Sequence, residues 1–174
     1  MPRLLTRSAA PPQRLRVGLF GGSFNPPHVG HRHASLIALR RLELDAVWWL
    51  VTPGNPLKDA RDLAPLSQRL KAAVDIENHP RIHVTTLESE LGTRFTADTL
   101  ATLSQRFPAI NFVWIMGADN LATIHKWRDW QTIFRTMPIV VVARPGYAMK
   151  ALSSPAARRF AASRVDPDDA ALLP

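Results

Sequence analysis

Three short stretches of this chain, "AVWWLV" (46–51), "INFVWIMG" (110–117) and "MPIVVVARPG" (137–146), each hold several apolar residues in consecutive positions. A strand of that kind puts apolar side chains on both faces, so it needs cover above and below. Two further runs, "RVGLFG" (16–21) and "RIHVTTLE" (81–88), also read as strands. Helical spacing separates them. It runs through Ala34, Ile37, Ala38 and Arg41 in "HRHASLIALRRL" (31–42), from Ser67 to Asn78 with Ser67 as N-cap, and from Thr96 to about Arg106. One or two short helices fall in "ADNLATIHKWRDWQTIFR" (118–135). Strand and helix alternate, which predicts an α/β fold: a doubly wound parallel sheet of about five strands with helices on both faces.

Such a sheet binds ligands beyond the carboxyl ends of its strands. Gly21–His31, Thr52–Lys58, Gly117–Asp119 and Arg144–Gly146 all follow predicted strands, so they are expected to meet in one crevice. Trp48, Trp49 and Trp114 fall inside the strands and read as core.

The 174 residues carry a formal charge of +8, which suggests an anionic partner. Half of that excess lies in the leader "MPRLLTRSAAPPQRLR", on Arg3, Arg7, Arg14 and Arg16. Residues 1–15 read as a flexible basic arm rather than a transit peptide, and residues 16–174 as one domain. The arm lacks the apolar centre of a secretory signal, and no run approaches the roughly 20 apolar residues that span a bilayer. We therefore expect a cytoplasmic protein with no membrane association. The remaining +4 suits a phosphorylated small molecule as well as it suits nucleic acid, and no recognised nucleic-acid module is present. There is no cysteine, which excludes disulfides and thiolate metal sites.

At the junction of the first strand and first helix stands "FGGSFNPPHVGH" (20–31). His28 and His31, three residues apart, share a face of the first helical turn. Unpaired N–H groups and the positive end of the helix dipole favour an anion there, and Gly21, Gly22 and Gly30 let backbone approach it closely. Metal binding and plain packing compete with this reading. H-x-x-H, however, lacks the i,i+4 spacing and the glutamate of H-E-x-x-H. Neither G-x-x-x-x-G-K-[ST] nor G-x-G-x-x-G is present, so a phosphate here is held by histidines instead of a loop lysine.

"GGSFNPPHVGH" resembles the G-x-F-(D/N)-P-x-H-x-G-H signature of the nucleotidyltransferase superfamily. Later segments "TPGNPLK", "LGTRFTADTL", "FVWIMGADNL" and "HKWRDW" are similar, in order and spacing, to the bacterial nicotinate-nucleotide adenylyltransferase family. The likeness runs from about Val17 to Gly146. It implies a Rossmann-like sheet and transfer of AMP from ATP to the 5'-phosphate of nicotinate mononucleotide, giving deamido-NAD and pyrophosphate. It also implies catalytic roles for His28 and His31. ATP and phosphate contacts would come from Gly21, Gly22, Ser23, Phe24, Asn25, Gly30, Lys58, Gly117 and Asp119. Thr96, Trp127 and Arg128 would receive the nicotinate nucleotide, with Trp127 stacked on the pyridine ring. Mg²⁺ would arrive with ATP, and no resident protein metal site is implied. A homo-oligomer is compatible with the family.

Each residue also has a plainer reading. Lys58 could be a solvated loop lysine, Asp119 a helix N-cap in place of a ribose acceptor, and Trp130 packing. His33, His79, His83 and His125 read as surface or satisfied structural histidines, and Arg144 sits at a strand exit near the expected phosphate. The family's late S-(S/T)-T-x-x-R segment does not occur before Pro174. "LSSPAARRF" (152–160) offers Ser153, Ser154, Arg158 and Arg159, but Pro155 stands at the threonine position. We therefore expect a chain cut short. Transfer to nicotinamide mononucleotide or another phosphate acceptor, and a nucleotide-binding module without turnover, are the competing functions.

Overall fold

The computed structural model describes residues 14–54 and 62–173. Five parallel strands make up the sheet: β1 (Leu15–Gly22), β2 (Ala46–Val51), β3 (Ile82–Thr85), β4 (Ile110–Gly117) and β5 (Ile139–Val142), in the spatial order β3-β2-β1-β4-β5. Register is continuous through β1, where Leu19 lies between Trp48 of β2 and Trp114 of β4. The expected α/β sheet of five parallel strands is present.

Helices cover both faces. On one lie α1 (Val29–Arg41) and α2 (Leu66–Ile76), packed with Trp49, Val47, Val113 and Ile115. Opposite, α4 (Thr96–Arg106), α5 (Ala118–Thr123) and α6 (Trp130–Thr136) close over Leu19, Leu50, Phe112 and Trp114. Short helices α3 (Leu87–Leu91), α7 (Ala148–Leu152) and α8 (Pro155–Arg159) complete the cover. Trp49 and Trp114 are buried as expected, and Trp48 is partly buried against Phe107 and Phe112.

Several element ends differ from the sequence reading. Strand β1 begins at Leu15, inside the expected leader, and Arg16 is tied there to the Ala171 and Leu173 carbonyls. The leader's first 13 residues lie outside the described residues. Helix α1 opens two residues early, at Val29, and buries Ala34, Ser35, Ala38 and Leu39, whereas Arg41 is exposed. Ser35 belongs inside because its hydroxyl donates to the His31 carbonyl at 3.0 Å and accepts the Trp49 indole N–H at 2.8 Å. Pro65, not Ser67, stands at the N-cap of α2. A proline's fixed φ suits the entry to a helix, and Ser67 lies inside the first turn. Strand β3 stops at Thr85 because Leu87 starts α3, and β5 is only four residues long.

Between β1 and β4 the chain departs from the sheet in opposite directions, so the strand ends splay there and leave a crevice. Gly21 and Trp114 shape its floor. A Cβ at Gly21 would stand 2.3 Å from the Trp114 ring, so only glycine lets β1 lie against that indole. Gly21→Ala is expected to destabilise the fold by about 1–3 kcal/mol through overpacking, read as a lower urea midpoint at unchanged slope. An unchanged midpoint would contradict this packing.

Candidate active site

Beyond the carboxyl edge of the sheet lies a cleft of about 850 Å³. It brings together His28, His31, Gly21, Gly22, Ser23, Phe24, Asn25 and Gly30 from the β1–α1 junction. Gly117 and Asp119 reach it from the end of β4, Thr96 from the start of α4, and Trp127 and Arg128 from the turn after α5. Arg144 and Pro145 close it after β5. Lys58 falls outside the described residues. Trp130 turns away and packs edge-on against Phe134 and Phe160.

The two histidines cap α1 reciprocally. His28 is the N-cap, and its Nδ1 accepts the Gly30 N–H at 3.1 Å; His31 Nδ1 accepts the His28 N–H at 3.1 Å. The pair thus takes the place of the usual serine–glutamate capping box. Gly30 is required at N2, because a Cβ there would lie 2.9 Å from the His28 ring. With both Nδ1 atoms accepting, a neutral ring carries its proton on Nε2. Each neutral imidazole therefore gives its Nδ1 to the helix backbone as an acceptor and keeps Nε2–H as a donor.

Aromatic packing fixes His31 in turn. Its ring centroid lies 4.7 Å from Phe24 and 5.8 Å from Phe20, and Phe24 stacks on Trp49 at 4.9 Å. Phe24 is fully buried, so its main part is to hold His31 in place. Asn25 is likewise occupied: its amide donates to the Asp62 carbonyl at 2.8 Å and accepts the Ala64 N–H at 3.3 Å. Burial, followed by the neighbouring His28, lowers the His31 pKa from 6.5 to about 4. The ring is neutral at pH 7, so its Nε2–H can donate without carrying charge.

Cations predominate around this pair. Arg94, Lys126, Arg128 and Arg144 line the cleft with two carboxyls, Asp119 and Glu88. The Arg128 guanidinium lies 4.5 Å over the Phe95 ring, and Arg144 donates to Asp119 at 2.8 Å. Gly117, not Asp119, is the N-cap of α5, and the carboxylate sits in the first turn. Burial raises the Glu88 pKa, opposed by hydrogen bonds with the Thr52 and Thr99 hydroxyls. The balance favours a polyanionic ligand. Among the described residues no group of three or more His, Cys, Asp or Glu side chains could hold a metal ion, and no helix is long and apolar enough to cross a membrane.

Ser35, Arg69 and Glu88 occur in no spacing that marks them, and their places follow from tertiary packing; Arg94 and Lys126 lie within "LGTRFTADTL" and "HKWRDW", but only the fold brings them to the cleft. Of the other histidines, His33 is exposed at the cleft rim, His83 is exposed, and His79 accepts the Arg81 N–H at 3.2 Å. His125 departs from expectation, since its Nδ1 is buried without a hydrogen-bond partner among the described residues.

The cytidylyltransferase-like family model matches residues 19–163. A Rhizobium johnstonii protein named "Probable nicotinate-nucleotide adenylyltransferase" is 56% identical over 157 residues, which are 90% of this chain and 79% of that protein. Another of the same name, from Cereibacter sphaeroides, is 58% identical over 155 residues, 89% of this chain and 83% of its own. Among solved structures, Plasmodium falciparum nicotinic acid mononucleotide adenylyltransferase complexed with NaAD superimposes with a TM-score of 0.61 at 19% identity. That likeness covers 90% of this chain and 88% of the other. At so low an identity it bears on the fold alone.

The depressed His31 pKa has a consequence for stability. Above pH 6.5 the ring is neutral in both folded and unfolded chains and contributes no pH dependence. Between 6.5 and about 4 the unfolded chain takes up a proton that the folded one refuses, so stability falls with pH across that window. The thermal midpoint is expected to drop less steeply there in His31→Asn, whose side-chain oxygen can still accept the His28 N–H. Equal slopes in the two proteins would contradict the burial argument.

Proposed function

Because the chain belongs to the nicotinate-nucleotide adenylyltransferase branch of the cytidylyltransferase-like family, we propose that it joins AMP from ATP to the 5'-phosphate of nicotinate mononucleotide. The products are deamido-NAD and pyrophosphate. The observation that carries this reading is the reciprocal histidine cap, which leaves two Nε2–H donors at a helix start inside a cationic cleft.

An oxygen of the acceptor phosphate attacks the α-phosphorus of ATP. The bond from that phosphorus to the bridging oxygen breaks, and its electrons leave with pyrophosphate. No protein nucleophile is needed, so catalysis rests on alignment and on neutralising charge. His31 donates to an α-phosphate oxygen and His28 to an oxygen beside it. Gly21, Gly22, Ser23 and Gly30 let the polyphosphate lie close to backbone N–H groups. Phosphate oxygens near His31 raise its pKa above the value it has in the free chain.

Asp119 accepts a ribose hydroxyl, with Gly117 giving its carboxylate room, and Lys58 clamps phosphate. Trp127 stacks on the pyridine ring and Arg128 faces the acceptor. Thr96, at the start of α4, lines the pocket where helix N–H groups meet the nicotinate carboxylate. ATP enters as its Mg²⁺ complex, the ion held by phosphate oxygens and water in keeping with its preference for oxygen ligands.

Pyrophosphate release measured with each acceptor tests the assignment. Nicotinate mononucleotide is expected to react fastest; equal rates with the amide would contradict the acceptor, and ATP binding without release would contradict transfer. His31→Ala is expected to lower kcat by about 10²–10³ while the fold persists. A variant within threefold of the native kcat would remove His31 from the reaction.

A further inference from the structure

Apart from His28 and His31, the most demanding group near the cleft is Arg69, on the second turn of α2. Its residue is only 2% exposed. Its guanidinium donates to four backbone carbonyls: Nε to Ala64 at 2.7 Å, Nη1 to Ser23 at 2.6 Å and to Thr52 at 2.8 Å, and Nη2 to Pro53 at 3.3 Å. No carboxylate among the described residues pairs with it. Burying a cation without a counter-charge is costly, and carbonyl dipoles solvate it without neutralising it. The charge therefore persists within the fold.

Its position gives that charge a use. Ser23 follows β1 and Thr52 follows β2, and both line the cleft. One guanidinium grips the carbonyls of both loops, and so bonds directly to the backbone of two residues that line the cleft. A direct bond from Thr52 N–H to the Gly22 carbonyl, 3.0 Å long, joins the same loops. The planar fork fits carbonyls from three separate segments, which an ammonium on a flexible stem cannot do at once.

We infer that Arg69 is a positioning residue for adenylyl transfer, holding the loops after β1 and β2 together and supplying a fixed positive charge that the nucleotide's phosphates answer. The inference rests on the proposed transfer for its context and on the Arg69 geometry for its substance. It accounts for why a buried cation has no carboxylate partner among the described residues: the counter-charge arrives with the substrate.

Two variants separate charge from bracing. Arg69→Gln removes the charge, and Arg69→Lys keeps it while giving up the fork. By calorimetry with Mg²⁺ and ATP, Arg69→Gln is expected to bind about tenfold more weakly than the native chain, and Arg69→Lys within about threefold of it. In turnover, Arg69→Lys is expected to lose kcat with little change in the KM for ATP, since its loops are less well aligned. Equal loss of ATP affinity in both variants, or unchanged affinity in both with only a lower thermal midpoint, would reduce Arg69 to a brace and overturn the proposal. Should Arg69→Gln not fold, Arg69→Lys decides alone: affinity within threefold supports the charge, and a tenfold loss refutes it. Binding is read without turnover, so a native chain that holds ATP but releases no pyrophosphate fails the transfer reading and leaves the Arg69 comparison valid. A native chain that does not bind ATP overturns both.

Discussion

The site depends on how the first turn of α1 satisfies its own backbone. A helix start leaves N–H groups without partners, and short polar side chains usually meet that need. Here two imidazoles meet it, each through Nδ1. The choice has a chemical result that serine or aspartate could not give. A ring that accepts on one nitrogen carries a proton on the other, so capping and ligand donation are done by the same side chains. Phe20, Phe24 and Trp49 then fix the His31 plane, and Ser35 ties Trp49 to the helix backbone. The buried aromatic layer thereby sets the direction of a polar donor.

The sheet decides where that donor points. With β1 central and β4 beside it, α1 leaves one face while α5 leaves the other, and the gap between them is the cleft. Charge accumulates on its walls because each strand delivers a loop to the same edge. Arg128 arrives after α5, Arg144 after β5 and Arg94 before α4. Arg144 spends part of its charge on Asp119 at 2.8 Å. Glu88, held largely out of water, has its pKa raised and opposes a polyanion less than an exposed carboxylate would.

Much of this was legible in the chain. Doubly apolar strands dictated the parallel sheet, and the spacing of His28, Gly30 and His31 marked the helix start. What was not legible has a common cause in packing across elements. Arg69 reads in sequence as one more helix arginine, because the carbonyls that accept from it are 5 to 46 residues away. Glu88 sat at the end of an expected strand, and only its burial beside Thr99 in α3–α4 gives it a role. Ser67 looked like a cap because serine is a good one, but Pro65 already held the position. Phe24 and Asn25 belong to the motif and line the cleft, and their bracing contacts with His31 and with the segment before α2 appear only in the fold.

The central claim is that His31 is a neutral Nε2–H donor awaiting phosphate. ¹⁵N NMR of the imidazoles, titrated with pH in the free protein and with a non-hydrolysable ATP analogue and Mg²⁺, tests it directly. The account predicts an Nε2–H tautomer and a pKa of about 4 in the free chain, rising towards neutrality when the analogue binds. A His31 signal that titrates near 6.5 in the free protein, or that does not shift with saturating analogue, would contradict it.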